Sequence, residues 1–384
     1  VMAYLMQDKA LGKTREERRK TLYSGGLTIR TTVDLKYQAA ADTAVSNHVF
    51  PTDQAIGALA LVEPGTGEVK AIAQSRPMGS KKNQGETYLN YVIPQEYGDS
   101  QGFQPGSTFK AFVLATAIEQ GIPLSQAYNS PEVMEFNQAD FANCPGEPNF
   151  AGTFPIENST SSGPMNLYSG TRLSVNTFYM QLERETGVCE PFKLAKEMGI
   201  RLTNPRGDAQ GNGAELTPTF TLGVASASPL EMAEAYATFA ARGLHCTSRP
   251  VTAVLDSKRN VLKSYPKKCE QVMEQSTADA VSNVLRGVIE GGFASSQALS
   301  TAAAGKTGTT SGQQSVWFAG YTRRMAAAAV IGGANRVGTP ISLQYQYVHG
   351  EYISSASGSG FAAPIWGDAM KVVDDDAPYE DFDY

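Results

Sequence analysis

Short apolar runs bounded by turn residues predict the strands of a sheet in two parts of the chain. Near the start, Ala58–Val62 and Val69–Gln74 flank a turn rich in proline and glycine, which is the pattern of a β-hairpin. Near the end, the segments KTGTT, SVWFAGYT and MAAAAVIGG predict three consecutive strands. A further short strand is predicted at Leu27–Thr32, followed by a helix.

Apolar residues at helical spacing predict helices between and after these strands. The segment SPLEMAEAYATFAARG is the most strongly marked, with Ser228 as N-cap and Glu231 completing a capping box. Pro229 at the first helical position and Gly243 as the stop support the same helix. Helices are also predicted in STADAVSNVLRGVIEGG and APIWGDAMKVV. Helices combined with a largely antiparallel sheet indicate the α+β class.

The same pattern divides the chain into three parts. Residues 1–57 are expected to be a linker, residues 58–373 the main domain, and residues 374–384 an acidic, disordered tail. Inside the main domain, a helix that ends at Gly121 is followed by a loop-rich, partly polar region to about Ser169. Loops of that length usually shape a binding site.

Composition excludes several classes of function. With 384 residues, of which 41% are hydrophobic and 18% charged, the chain is long enough for one large domain or two medium ones. A net charge of -6 without a basic stripe argues against nucleic-acid binding. No stretch reaches the ~20 apolar residues of a membrane span, so either the protein is soluble or its anchor lies outside this sequence.

The four cysteines leave two interpretations open. None forms a C-x-x-C pair or lies beside a histidine, which disfavours zinc. They are either buried free thiols or the disulfides of an extracytoplasmic protein. Two strands and a polar turn are predicted between Cys246 and Cys269, and a turn at their midpoint places these cysteines opposite each other. That predicts a Cys246–Cys269 disulfide, with Cys144 and Cys189 as the second pair.

The stretch FQPGSTFKAF places Ser107 after a Pro-Gly turn and Lys110 three positions later in an apolar run. If a helix opens at Ser107, the two side chains lie on one face, about one turn apart. Alternatively, Lys110 only rests its stem on apolar surface. The spacing is weak by itself, because it recurs at Ser264 and Lys267, where Pro266 interrupts any helical turn.

Two further motifs follow in a fixed order, SVN at Ser174–Asn176 and KTGT at Lys306–Thr309. The series S-x-x-K, S-x-N, K-T-G resembles the active-site signature of penicillin-binding proteins and serine β-lactamases. The segments GGLTIRTTVDLKYQAAA, LALVEPGTGEVKAI and GKTGTTSGQQSVWFAGYT resemble class A penicillin-binding proteins. The resemblance covers nearly the whole chain.

This resemblance implies a fold, a setting and partners. The fold is a largely antiparallel sheet flanked by helices, with an all-helical subdomain. In class A proteins a glycosyltransferase module precedes the transpeptidase module, and the chain resembles the second module with its linker. The expected partners are peptidoglycan stem peptides and β-lactam antibiotics, with no cofactor, metal or nucleic acid. The expected location is outside the bacterial cytoplasm, anchored to the membrane by a segment that precedes this sequence.

Acyl transfer requires a base, and Lys110 is the available one. A serine hydroxyl attacks poorly near neutral pH unless a base takes its proton, and none of the three histidines lies near a motif serine. Lys110 can act as base if its pKa falls well below the ~10.4 of a free lysine. Burial and a second cation such as Lys306 favour that fall.

The remaining roles are implied by the resemblance. Ser174 relays a proton to the leaving nitrogen, and Asn176 holds the amide of the substrate. The backbone N–H groups of Ser107 and Thr309 form the oxyanion hole. The substrate's terminal carboxylate is bound by the K-T-G strand, which consists of Lys306, Thr307, Gly308 and Thr309.

Several other functions compete with this interpretation. AAAGKTGTT resembles a nucleotide-binding P-loop, but Ser300 stands where that motif needs glycine. A β-lactamase needs a glutamate after the S-x-N motif, whereas ETYLN, at Glu86–Asn90, precedes Ser107. A DD-carboxypeptidase or a non-enzymatic β-lactam sensor is the alternative. We expect a peptidoglycan DD-transpeptidase whose Ser107 attacks the carbonyl of the penultimate D-alanine of a stem peptide.

Overall fold

The computed structural model describes residues 1–383. Its strands are β1 Thr28–Thr31, β2 Ala55–Glu63, β3 Glu68–Gln74, β4 Ala127–Ser130, β5 Val133–Asn137, β6 Thr153–Glu157, β7 Gly163–Asn166, β8 Leu244–Cys246, β9 Val251–Leu255, β10 Val261–Ser264, β11 Cys269–Gln271, β12 Ala304–Thr309, β13 Ser315–Tyr321, β14 Ala326–Gly333, β15 Gln346–Val348 and β16 Glu351–Ile353. Its α-helices are α1 Met2–Leu5, α2 Arg15–Ser24, α3 Leu35–Ser46, α4 Gln95–Gly98, α5 Lys110–Glu119, α6 Leu167–Arg172, α7 Asn176–Thr186, α8 Cys189–Glu197, α9 Pro229–Ala240, α10 Gln275–Arg286 and α11 Ala363–Asp374.

A five-stranded antiparallel sheet in the order β12-β13-β14-β2-β3 forms the centre of the molecule. It contains the predicted hairpin β2–β3 and the three predicted consecutive strands β12, β13 and β14. Every residue of β13 and β14 is buried, because helices cover both faces. Alternate side chains enter opposite cores, so Trp317 packs with the helices α5, α7 and α9, and Phe318 packs with α3 and α11. The predicted α+β class is confirmed.

Helix α9 forms as its capping signals predict. Ser228 Oγ accepts a hydrogen bond from the backbone N–H of Glu231 at 3.3 Å, and Glu231 Oε2 accepts one from Ser228 N–H at 2.8 Å. The helix then runs from Pro229 to Ala240 and is buried along nearly its whole length. Its many alanines let it lie close to the sheet strands β14 and β2.

The region from 121 to 169, predicted to be loop-rich, contains two antiparallel ribbons, β4–β7 and β5–β6. Their burial alternates only weakly, as in β5 and β6, which is why the apolar pattern did not predict them. Together with helices α5 to α8 they form a mainly helical region that also contains short strands. The ribbons place residues 157 and 158 beside the start of α7.

The predicted linker and tail both contact the main domain. In the first 57 residues, β1 pairs with β9, α3 packs against β3, and β2 begins at Ala55. The tail, predicted to be disordered, is instead held by charge pairs. Arg324 Nε donates to Glu380 Oε2 at 2.9 Å, and Arg323 donates to Asp383 at 3.1 Å. Between them Phe382 is only 7% exposed. Position 384 lies outside the described residues.

The four cysteines form two disulfides, Cys144–Cys189 and Cys246–Cys269. The first joins the region of the ribbons to the start of α8. In the second, Cys246 and Cys269 face each other in the small sheet β8–β11. A bulge between Val261 and Lys263 shifts the register of β10 against β9. The symmetric hairpin from which this pairing was predicted therefore does not extend over the whole segment.

We expect the double variant Cys246→Ser, Cys269→Ser to lose roughly 3 kcal/mol of unfolding free energy, because this bond closes a loop of two dozen residues in the unfolded chain. Urea unfolding of the oxidised wild type and the variant measures this difference. The control is unfolding under reducing conditions, where both disulfides are broken in the wild type and the Cys144–Cys189 bond is broken in the variant. The two proteins should then have the same free energy of unfolding. Free thiols at both positions in protein folded under oxidising conditions, detected by non-reducing peptide mapping, would contradict the pairing.

Candidate active site

Ser107 lies in a 3-10 helix, Gly106–Phe109, that leads directly into α5. The expected helix therefore begins with one tighter turn. Gly106 has a φ of 58°, and a Cβ there would approach the backbone of Thr309 to 2.8 Å. Glycine is required at this position because only a residue without a side chain allows the turn to lie against strand β12. Ser107 is half-buried at this contact.

Lys110 is completely buried, and its ammonium group is directed toward the loop before α7. Nζ donates hydrogen bonds to Ser174 O at 2.7 Å, to Asn176 Oδ1 at 2.8 Å and to Ser174 Oγ at 3.2 Å. Within residues 1–383 none of its hydrogen bonds reaches Ser107, although the two residues are one turn apart as expected. The buried stem also excludes the alternative of a lysine that only rests on an apolar surface.

Ser174 connects the two lysines of the site. Its hydroxyl oxygen is 2.7 Å from Lys306 Nζ and 3.2 Å from Lys110 Nζ. The residue has a φ of 54°, in the left-handed region that non-glycine residues rarely adopt. This strained conformation turns both its carbonyl and its hydroxyl toward Lys110. Strain of this kind is concentrated at functional sites.

Burial controls the charges of the site. Desolvation, followed by the charge of Lys306, holds the pKa of Lys110 well below its ordinary value. Desolvation lowers the pKa of Lys306 to about 7. Two ammonium groups that share one hydroxyl cannot both keep their charge without a large cost in free energy. Desolvation therefore favours the neutral form of both lysines, and the charge of Lys306 adds to this effect on Lys110.

Asn176 begins helix α7 and contacts both sides of the site. Its Oδ1 accepts from Lys110, while its Nδ2 donates to the carbonyl oxygen of Glu157 at 2.9 Å. Because the Glu157 carbonyl lies at the end of ribbon β5–β6, the ribbon fixes which way the amide faces. This contact is one that the sequence did not predict, since a backbone carbonyl has no residue signature.

The K-T-G strand β12 is an edge of the central sheet. The N–H of Thr310 donates to Ser315 O on β13 at 3.1 Å. Successive N–H groups of an antiparallel ladder alternate in direction, so the N–H of Thr309 is directed to the open edge. A Cβ on Gly308 would come within 2.2 Å of Pro105 O, so this glycine lets β12 approach the Ser107 turn.

The structure thus brings together the predicted residues of all three motifs. Ser107, Lys110, Ser174 and Asn176 converge with the β12 edge. Sequence reasoning missed Tyr179, whose ring lies 5.4 Å from Lys110 Nζ. Its signal was the three-residue spacing from Asn176, which places both on one turn of α7. In residues 1–383, no helix is long and apolar enough to cross a membrane, and no group of three or more metal-binding side chains lies together.

Relatives with similar sequences include two curated bacterial proteins. Penicillin-binding protein 1A of Mycolicibacterium smegmatis is 27% identical over 365 residues, which cover 91% of this chain and 42% of that protein. Penicillin-binding protein 2D of Bacillus subtilis is 24% identical over 373 residues, covering 95% of this chain and 47% of that protein. The chain spans less than half the length of these relatives.

Solved structures share the fold. The penicillin-binding protein PonA1 from Mycobacterium tuberculosis superposes with a TM-score of 0.74 at 24% identity, over 95% of this chain and 89% of that chain. PonA1 has also been solved in complex with penicillin V.

The match to a protein family covers most of the main domain. Residues 57–340 match the family described as the penicillin binding protein transpeptidase domain. This range includes the Ser107 turn, the strained Ser174 and the β12 edge. The chain belongs to the penicillin-binding protein transpeptidase family.

Proposed function

We propose that this domain is a DD-transpeptidase that cross-links peptidoglycan through an acyl-enzyme on Ser107. The observation that carries the proposal is the convergence of two buried lysines on Ser174, beside a serine at a helix start. This arrangement provides a nucleophile, a base of lowered pKa, a proton relay and a cation. Those are the groups that serine acyl transfer requires in the absence of a histidine.

In the first step, Ser107 Oγ attacks the carbonyl carbon of the penultimate D-alanine, and its proton passes to neutral Lys110. A base works best when its pKa lies near the operating pH, and the lowered pKa of Lys110 meets that condition. The carbon–nitrogen bond then breaks. Lys110 returns the proton through Ser174 Oγ to the nitrogen, and D-alanine leaves as a neutral amine. Ser107 holds the acyl group as an ester.

In the second step, the amine of a neighbouring stem attacks the ester and gives its proton back to Ser107 by the same route. Both steps pass through an oxyanion. The N–H of Ser107 lies in the first helical turn, where it has no acceptor within the helix, and the N–H of Thr309 is directed to the sheet edge. Such fixed donors stabilise developing negative charge.

The free carboxylate of the donor peptide distinguishes it from interior peptide bonds. We assign its recognition to Lys306, with the hydroxyl groups of Thr307 and Thr309 at the same edge. The charge of Lys306 lowers the pKa of Lys110, so we assign the neutral state to Lys110 and the positive charge to Lys306 in the reactive form. Asn176, at the start of α7, holds the peptide amide on the side of the site that faces strand β12.

β-Lactams resemble the donor peptide and are proposed to acylate the same serine, as the penicillin V complex of PonA1 supports for that protein. A DD-carboxypeptidase would share the first step and use water in the second. A sensor would stop at the acyl-enzyme. In the full-length protein we propose a glycosyltransferase module before this domain, because the alignments cover less than half of the matched relatives. We also propose that a membrane anchor holds the domain outside the cytoplasm, where the peptidoglycan substrate lies.

Penicillin should add covalently to Ser107. Intact-mass spectrometry and peptide mapping of the treated protein measure the adduct. Ser107→Ala should form none, whereas Ser264→Ala, which alters the serine of the second S-x-x-K match, should react at the wild-type rate. An adduct on Ser174, or persistent labelling of Ser107→Ala, would refute the assignment.

Lys110→Ala should lower the rate of acylation by about two to four orders of magnitude, because the base is lost. The rate of labelling by a fluorescent penicillin measures this effect, and circular dichroism checks that the helix is retained. Lys267→Ala, at an exposed lysine, is the matched control. Wild-type kinetics in a folded Lys110→Ala protein would show that another group takes the proton.

The acylation rate constant should follow a bell-shaped pH profile whose basic limb lies near the pKa of Lys306, about 7. Below that limb the rate falls as Lys110 gains a proton, and above it the rate falls as Lys306 loses its charge. Lys306→Ala should react roughly ten to a hundred times more slowly at neutral pH, because a charge-assisted contact is lost.

The same variant should lack the basic limb, and its acidic limb should move to higher pH, since Lys110 no longer faces a cation. Lys268→Ala, at an exposed lysine, is the control and should keep both limbs. A wild-type rate that rises steadily to pH 9 would contradict the role of Lys306.

A further inference from the structure

An aromatic ring forms the wall beside the proposed base. The ring centroid of Tyr179 lies 5.4 Å from Lys110 Nζ, within the range of a cation–π interaction. Tyr179 is completely buried on α7. Its hydroxyl group forms a hydrogen bond of 2.5 Å with Thr171 Oγ1 at the end of α6. This bond holds the polar tip away from Lys110 and leaves the ring as the group that contacts the ammonium.

No carboxylate acts on Lys110 within the described residues. The charged group that faces it is Lys306 on β12, which repels the ammonium form. Tyr236 on α9 donates its hydroxyl to Thr108 O at 2.8 Å and is neutral. Glu183, further along α7, accepts from Thr221 N–H, and burial raises its pKa so that it favours the neutral form.

A buried lysine beside another cation and without a counter-ion faces a specific difficulty as a base. Desolvation and repulsion both favour its neutral form, which frees the lone pair to take a proton. If they act unopposed, the amine becomes too weak a base to hold the proton of Ser107 during attack. Neutral groups can stabilise the ammonium without adding a full negative charge, and the carbonyl oxygens of Ser174 and Asn176 do so by accepting hydrogen bonds. The negative face of an aromatic ring adds to this stabilisation.

We propose that the ring of Tyr179 stabilises the protonated form of Lys110 and so keeps this lysine basic enough to accept the proton of Ser107. Tyr179 is thus a positioning residue that acts through Lys110, opposite in effect to Lys306. The inference rests on the proposed function for its catalytic consequence. The effect on Lys110 itself depends only on the observed geometry.

Helix α7 supplies two of the groups around the ammonium. Asn176 Oδ1 accepts a hydrogen bond from Lys110, and Tyr179, one turn later, presents its ring. Because both belong to a single helical turn, one rigid element fixes the polar and the aromatic contact together. Thr171 sets the rotation of the ring from a second helix.

The test replaces Tyr179 in the full chain with phenylalanine, 4-fluorophenylalanine and 3,4,5-trifluorophenylalanine. The three variants all retain an aromatic ring at position 179 and all lack the bond to Thr171, so they differ only in how strongly fluorine withdraws electron density from the ring face. The pKa of Lys110 is read by nuclear magnetic resonance of 13C-labelled lysine, with its signal assigned through Lys110→Arg. We expect the pKa to fall at each step, by roughly half a unit to one unit over the series.

Tyr179→Leu should lower the pKa of Lys110 by a similar amount, and the acidic limb of the acylation profile should move to lower pH with it. A residue that only fills space would slow acylation at every pH and leave the limb in place. An unchanged pKa across the fluorinated series, or a rise, would overturn the proposal. Since the pKa is measured without penicillin, absence of acylation in the wild type would refute the transpeptidase assignment alone.

Discussion

Lys110 and Lys306 both donate hydrogen bonds to Ser174 Oγ, at 3.2 Å and 2.7 Å, in a region closed to solvent. Two buried ammonium groups that share one acceptor are costly, because each loses its hydration and each repels the other. The arrangement persists only if the surrounding elements fix all three side chains. Helix α5 carries one lysine, edge strand β12 carries the other, and the turn between α6 and α7 carries the serine.

Close approach of backbones makes this convergence possible. The Ser107 turn lies against β12 because Gly106 and Gly308 have no side chains to separate them. Behind β12, the inner strands β13 and β14 are buried along their whole length, which restrains the position of β12. The strain at Ser174 is thus held by packing on three sides. The positions of the side chains in the site therefore depend on the sheet, and the lowered pKa values of the two lysines depend on the exclusion of water.

Segments at the periphery of the molecule also hold the site and the central sheet in position. Ribbon β5–β6 orients Asn176 through the Glu157 carbonyl, and the Cys144–Cys189 bond ties the neighbouring loop to α8. At the opposite end of β13, the acidic tail lies on Arg323 and Arg324, with Phe382 packed on Tyr321. Charge patterning favoured disorder for this tail, whereas the arginines that pair with it lie some 50 to 60 residues earlier in the chain. Pairing with a preformed basic turn offsets the entropy that a free tail would keep.

Local patterns in the sequence determined the elements and the chemical groups. Short segments bounded by turn residues marked β2, β3 and β12 to β14, the capping box marked α9, and the three motifs identified Ser107, Lys110, Ser174, Asn176 and Lys306. These signals depend on residues close together in the chain. Only the tertiary structure decided that Lys110 bonds Ser174 and not Ser107, that both lysines are fully buried, and that the ring of Tyr179 lies beside Lys110. Such facts depend on burial and on distances between residues far apart in sequence, which no local pattern encodes.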